Sequence, residues 1–266
     1  MSLNLLLPFR DIELDQRVVE AANGTVSKFK TQTNFIEFVG LINKIILMAD
    51  SDFVDAFANA TQEELDRPIN EVRVSKIQQE FSDVTMRIYG DNPCLKNFRV
   101  LISTEGSIGW DALRIRHIDT DLVGSESMKK IHHVSKFLMN VRKSERDLIE
   151  VFRFMKRETG ILKEAHILRT MMLGFISRTL HYFYVDVMDQ AWSRFLSHRI
   201  DSIKSLIMLY NSYVTTLYLT IQRLENPAFL KASVIINRFV QLVRSGKLSK
   251  PVILQDLGDF GHVIYS

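Results

Sequence analysis

The sequence predicts a mainly α-helical protein, an elongated helical bundle with one inserted β-hairpin. Three observations lead there. Glycine and proline are sparse, 11 and 5 in 266 residues, too few for the many turns of an all-β chain. No proline falls between Pro93 and Pro227, and apolar residues in most of that span recur at intervals of three and four. The exception is 98–116, where apolar and polar residues alternate on either side of a glycine-containing turn, the period of strands.

In chain order, residues 11–30 read as a weakly patterned helix, and Phe35, Phe38, Ile42 and Ile45 as the buried stripe of a second. Thr61 with Glu64 three residues on forms a capping-box pattern, read as opening a short turn that Pro68 closes. A helix over 72–89 stops at the turn cluster "YGDNP". In the hairpin, 96–118, Phe98, Val100 and Ile102 alternate with Arg99, Leu101 and Ser103. Leu113 and Ile115 then alternate with Arg114 and Arg116 after "TEGSIG". An isolated hairpin is marginal in water, so Trp110 and the Leu113/Ile115 face are expected to dock on helices.

Helices resume over 126–158 and 161–197, separated near Gly160. The second bears two stripes, Ala165, Leu168, Met172 and Phe175, then Ile176, Leu180, Phe183 and Val187, which marks it as the central helix. Residues 200–224 carry one unbroken stripe. Asn226 as N-cap and Pro227 at the first helical position open a helix to about Val243. The last residues are less regular. The organisation predicted is a single domain over 1–266: helical 1–92, hairpin 96–118, a long-helix bundle 125–244 and an irregular tail 245–266.

Composition narrows the function. The single Cys94 excludes an internal disulfide and fits a reducing compartment. The N-terminus lacks the basic and long apolar regions of a signal peptide, and no apolar run approaches the roughly 20 residues of a membrane span. The expectation is a soluble cytosolic protein. Net charge is +3 but uneven: residues 1–90 hold 9 Lys/Arg against 14 Asp/Glu, and residues 91–266 hold 25 against 17. Nine basic residues crowd 129–157 against Glu145, Asp147 and Glu150, a stretch able to attract an acidic partner. Chemistry is absent from the motifs. Adjacent His132 and His133 point about 100° apart on a helix and cannot share one metal. The run from Asp50 fails as a calcium loop, with Asp55 in place of glycine and Thr61 in place of the closing glutamate. No phosphate loop or nucleophile elbow is present. No catalytic residue, metal ligand or cofactor is expected.

Several segments, in matching order, resemble the C-terminal, gamma-tubulin-binding domain of the gamma-tubulin complex components, a family that includes spindle-pole proteins. "INKIILMADSDFVDAFANATQEELDRP" (42–68) resembles the family's leucine-rich helix, Gly-Asp-Phe turn and "ELxxP" segment. "GWDALRIRHIDTDL" (109–122) resembles its Trp-led hairpin strand, and "VFRFMKRE" (151–158) the "FRFLLRLKR"-like run that follows. "LRTMMLGFISRTLHYFYVDVMDQAW" (168–192) resembles a Met-Leu-x-Phe helix leading to an aromatic pair and a terminal Trp. The resemblance spans residues 35–225. Ser51 departs from the family's glycine, and His117 and Thr120–Asp121 from its Tyr and Trp-Pro, as in a divergent member. Members generally carry an N-terminal assembly domain for which this sequence has no room, so a fragment or a reduced protein is expected.

The resemblance implies a non-enzymatic scaffold that binds gamma-tubulin and supports microtubule nucleation, with other complex components as partners and a cytoskeletal location at a microtubule-organising centre or spindle pole. Tubulins are acidic as a family, so Arg142, Lys143 and Arg146, taken as exposed members of the basic set, are the expected contact residues. Trp110, Trp192, Phe152 and Phe154 are expected to hold the bundle together. The alternative is a helical adaptor that lays its basic helix on an anionic membrane or nucleic acid, although nucleic acid is not the expected partner.

Overall fold

A computed structural model of the chain describes residues 32–104, 106, 108–117, 124–157, 163–198 and 203–265. The helix expected over 11–30 and the separator near Gly160 lie outside the described residues. The chain forms two compact units, Met1–Asn43 and Lys44–Ser266.

In the first unit α1 spans Gln32–Leu41, with the Phe35 and Phe38 rings 6.4 Å apart. A widened π-helical stretch, Ile42–Ile46, follows. All four residues of the expected stripe, Phe35, Phe38, Ile42 and Ile45, are buried.

The second unit begins at Lys44, within that π-helical stretch, and Met48 just after it takes a left-handed φ of 54°. Asp50 then caps α2 (Ser51–Leu65), its Oδ1 accepting from the amides of Asp52 and Phe53 and its Oδ2 from the Tyr89 hydroxyl at 2.9 Å. Ser51 is the exposed first helical residue, so a side chain is tolerated there. The turn expected at Thr61 does not exist. Thr61 and Glu64 lie in the last turns of α2, where the Thr61 hydroxyl bonds back to the Phe57 carbonyl (2.7 Å) and Glu64 receives the guanidinium of Arg73. The capping-box spacing also fits one buried face of a helix interior, and here burial decides.

Helix α3 (Val74–Tyr89) packs on α2. Phe53 and Phe57 stack 5.7 Å apart, and Phe81 meets each edge-on at 5.9 Å. Such pairs contribute about 0.5–1.5 kcal/mol each beyond burial. Strand β1 (Phe98–Ile102) runs antiparallel to β2 (Leu113–His117), with Val100 opposite Ile115. Phe98, Val100, Leu113 and Ile115 are buried and Arg116 is exposed, the two-faced pattern expected. Gln78 of α3 accepts from the Val100 amide at 2.7 Å and ties the hairpin to the helices. Residues 109–112 depart from expectation: Gly109–Ala112 form one helical turn instead of strand.

Helix α4 (Ser125–Arg157) is followed by α5 (Lys163–His181), a π-helical stretch Tyr182–Asp189 and α6 (Gln190–Ser197). Next come α7 (Ile203–Leu224) and α8 (Pro227–Arg244), opened by Asn226 accepting from the Phe229 amide at 2.8 Å. The centre differs from the one predicted. α4 packs against α5, α7, α8 and the hairpin, whereas α5 lies between α4 and α9. Of the two expected stripes, which run over α5 and the π-helical stretch after it, Phe175 and Val187 are only half-buried. Ile131, Val134, Leu138, Val141, Leu148, Val151 and Met155 form the buried face of α4. The abundance of charge around that face disguised it. The predicted irregular tail is also corrected: Lys250–Tyr265 form α9, against α5 and α8. Pro251 stands in its first turn, where a missing N–H costs nothing. Ile253 and Phe260, two turns apart, are fully buried, while Gly258 and Gly261 weaken the pattern that would have announced the helix.

Candidate functional site: the charged flank of α4

The basic stretch 129–157 does not form a free solvated face. Most of its described cations are engaged within the fold. Lys130 reaches the Thr215 hydroxyl on α7 (3.3 Å), and His133 Nε2 lies 2.8 Å from Glu225 Oε2. Arg142 donates to Glu145 (2.9 Å) and stacks 5.2 Å from the Tyr184 ring. Lys143 pairs with Asp111 of the hairpin turn at 3.7 Å. The acidic residues of α4 are engaged too: Arg244, at the end of α8, donates to both Asp147 (2.8 Å) and Glu150 (2.6 Å). Burial nevertheless holds the Asp147 carboxyl above its ordinary pKa, with Arg244 opposing the shift.

Tyr184 fixes the far side of Arg142. It projects from the π-helical stretch, a local widening that re-aims side chains, and its hydroxyl donates to the Leu47 carbonyl at 3.0 Å. Burial pushes that hydroxyl up to about 12.

Arg142, Lys143 and Arg146 therefore lie together, all three on the wall of one cleft of about 350 Å³ between α2 and α4, but half-buried instead of exposed. The correction has a simple cause: their partners, on α2, the hairpin turn and the π-helical stretch, are distant in sequence. Arg146 differs from the other two. Its guanidinium donates to two neutral oxygens, Asn59 Oδ1 (3.1 Å) and Gln62 Oε1 (2.6 Å), and among the described residues to no carboxylate. Arg153, one of the nine basic residues of 129–157, and Ile149 line the same cleft and are exposed, although neither was an expected contact residue. The signal was available: 142, 146, 149 and 153 are spaced four, three and four apart, one stripe of a helix.

Trp110 also lines the cleft. Its indole Nε1 donates to Asp66 at 2.9 Å, and the Gly109 amide donates to the Arg67 carbonyl at 3.0 Å. A Cβ on Gly109 would stand 2.9 Å from the Leu65 Cα, so only glycine lets the turn approach the end of α2 this closely. Trp110 is buried, and Trp192 is half-buried against Phe195 and Tyr213. Phe152 lies under Arg169 at 4.5 Å, whereas Phe154 is 41% exposed and does not serve the core as expected.

His132 is half-buried near Arg114 and Arg116. Burial, then the two guanidiniums, hold its pKa below the ordinary value. Among the described residues, no group of three or more His, Cys, Asp or Glu is placed to hold a metal ion, and no helix is long and apolar enough to cross a membrane.

Residues 37–223 match the family described as Gamma tubulin complex component C-terminal. The chain is similar to Spindle pole body component 98 of Dictyostelium discoideum, 21% identical over 209 residues, covering 68% of this chain and 25% of that protein. It is 23% identical over 209 residues to the Gamma-tubulin complex component 3 homolog of Xenopus laevis, covering 69% and 23% of the two chains. To Gamma-tubulin complex component 3 of Homo sapiens it is 22% identical over 217 residues, covering 69% and 23%. The matched region is about a quarter of the length of these relatives.

Proposed function

The chain belongs to the gamma-tubulin complex component C-terminal family, and from that premise we propose that it is a non-enzymatic scaffold that binds gamma-tubulin and supports microtubule nucleation. The carrying observation is the match over residues 37–223, which takes in the hairpin and helices α2 to α7. Its relatives are named for the spindle pole body and the gamma-tubulin complex, and on this reading the chain assembles with other such components at a microtubule-organising centre. Within it, α4 supplies the contact to an acidic partner: Arg142 and Lys143, tied to Glu145 and Asp111, set the frame, and Arg146 presents charge. A rigid frame of this kind lowers the ordering cost of association.

Size-exclusion chromatography of the chain with purified gamma-tubulin, at low and at moderate salt, tests the reading. Co-elution is expected, weakening as salt screens the exposed charges. Separate elution at both salt concentrations overturns it. The adaptor reading, with α4 on an anionic membrane or nucleic acid, lacks a supporting geometry, because most of the described cations of the stretch point into contacts of the fold.

A further inference from the structure

We propose that the cleft between α2 and α4 is a docking groove for an acidic amphipathic segment of a partner protein, two of whose carboxylates seat on Arg146 and Arg153 with one apolar side chain between them on Ile149. The proposal rests on the scaffold reading for whose segment it is, and on geometry for the groove and the chemistry of its occupant.

Around this cleft most carboxylates already have a cation: Glu145 is held by Arg142, and Asp147 and Glu150 share Arg244. Among the described residues Arg146 is bound only by neutral amide oxygens, and Arg153 is exposed with no carboxylate within ion-pair distance. Two guanidiniums on one helix stripe, neither paired with a carboxylate among the described residues, are an acceptor-seeking pair. They stand seven residues apart, about 10 Å along the axis. That is two turns, the interval at which an amphipathic helix repeats a side chain on the same face.

Shape supports the same occupant. Ile149 is 49% exposed, three residues after Arg146 and four before Arg153, so an apolar contact is flanked by both cations. The cleft beside it, about 350 Å³, falls within the range of sites that enclose a ligand. Its floor is apolar, with Val54, Phe57 and Met139 buried. A charged stripe over an apolar floor, bounded by two helices, suits recognition of an amphipathic helix lying in a groove. Asp55, exposed on the α2 wall, has no ion-pair partner among the described residues and repels the same occupant, so it reports binding with the opposite sign.

The probe is a synthetic amphipathic peptide carrying two glutamates two turns apart with leucines between them, labelled for fluorescence anisotropy and titrated with the whole chain. A peptide with glutamine at both positions is the control. The glutamate peptide is expected to bind and the control to bind far more weakly. Arg153→Gln weakens binding about tenfold, the size of one lost charge-assisted hydrogen bond. This substitution is decisive because the Arg153 side chain makes no hydrogen bond or ion pair in the described chain, so its melting temperature stays that of the parent. Arg146→Gln weakens binding at least as much, and Asp55→Asn tightens it severalfold. Equal binding of both peptides, no binding at low salt, or an Arg153→Gln variant that binds like the parent overturns the groove. So does Arg153-dependent binding of phosphatidylserine vesicles in place of peptide. Gamma-tubulin co-elution without peptide binding rejects the groove alone, and peptide binding without co-elution rejects the gamma-tubulin reading alone.

Discussion

Gly109 shows how one residue joins two parts of this fold. Its missing side chain admits the Leu65 backbone, and its neighbour Trp110 reaches Asp66 from that position. Gly109→Ala is expected to lower stability by about 1–3 kcal/mol, the usual cost of overpacking, read from urea denaturation midpoints. A variant as stable as the parent would refute the close approach. The sequence made Trp110 a docking residue and placed Leu113 and Ile115 on the buried face, because alternation is a local signal. It could not show that 109–112 coil into a helical turn, since the cause is a contact with Leu65, 44 residues earlier in the chain. Arg142, Lys143 and Arg146 were legible as a basic cluster for the same local reason. Their individual fates were not, because Glu145, Asp111 and Gln62 decide them.

Among the elements, α9 was the least foreseeable and offers a sharp test. Phe260 is wholly buried and meets Phe175 of α5 edge-on at 5.8 Å. Phe260→Ala is expected to cost about 3–5 kcal/mol, measured by thermal or urea denaturation, through lost burial and the cavity left behind. A loss below about 1 kcal/mol would mean that α9 does not pack as described, since surface substitutions stay within that range. Strong local punctuation made other elements readable: Asn226 and Pro227 start α8 where predicted. α4 was located correctly, yet its central place was assigned to the following helix. An element ringed by charged side chains reads as peripheral unless their partners after α7, on α8 and in the hairpin turn are known.

For the whole molecule, acid is expected to act in two steps. His132 is held below its ordinary 6.5, chiefly by burial and then by Arg116 and Arg114. As pH falls through that value the unfolded chain takes up a proton that the folded one resists, so stability declines from there downward. Glu64 is lowered from 4.5 to about 2, first by the side-chain hydrogen bond from Arg73. Its contribution is complete above 4.5 and fades as pH falls toward 2. Denaturation midpoints across this range should fall in both windows. His132→Gln should remove the upper slope and Glu64→Gln the lower; a parent profile flat from about pH 7 to pH 5 would contradict the first step.

At the same scale, the seam between α2 and α4 turns on Gln62. Its amide oxygen accepts from Arg146 while its amide nitrogen donates to Glu150 at 3.4 Å. A carboxylate there would accept from the cation but repel the anion, and an ammonium would do the reverse; only an amide serves both. The amide holds the guanidinium in place and leaves its formal charge intact. Direction is thus supplied by one part of the chain, while neutralisation is left to whatever arrives from outside.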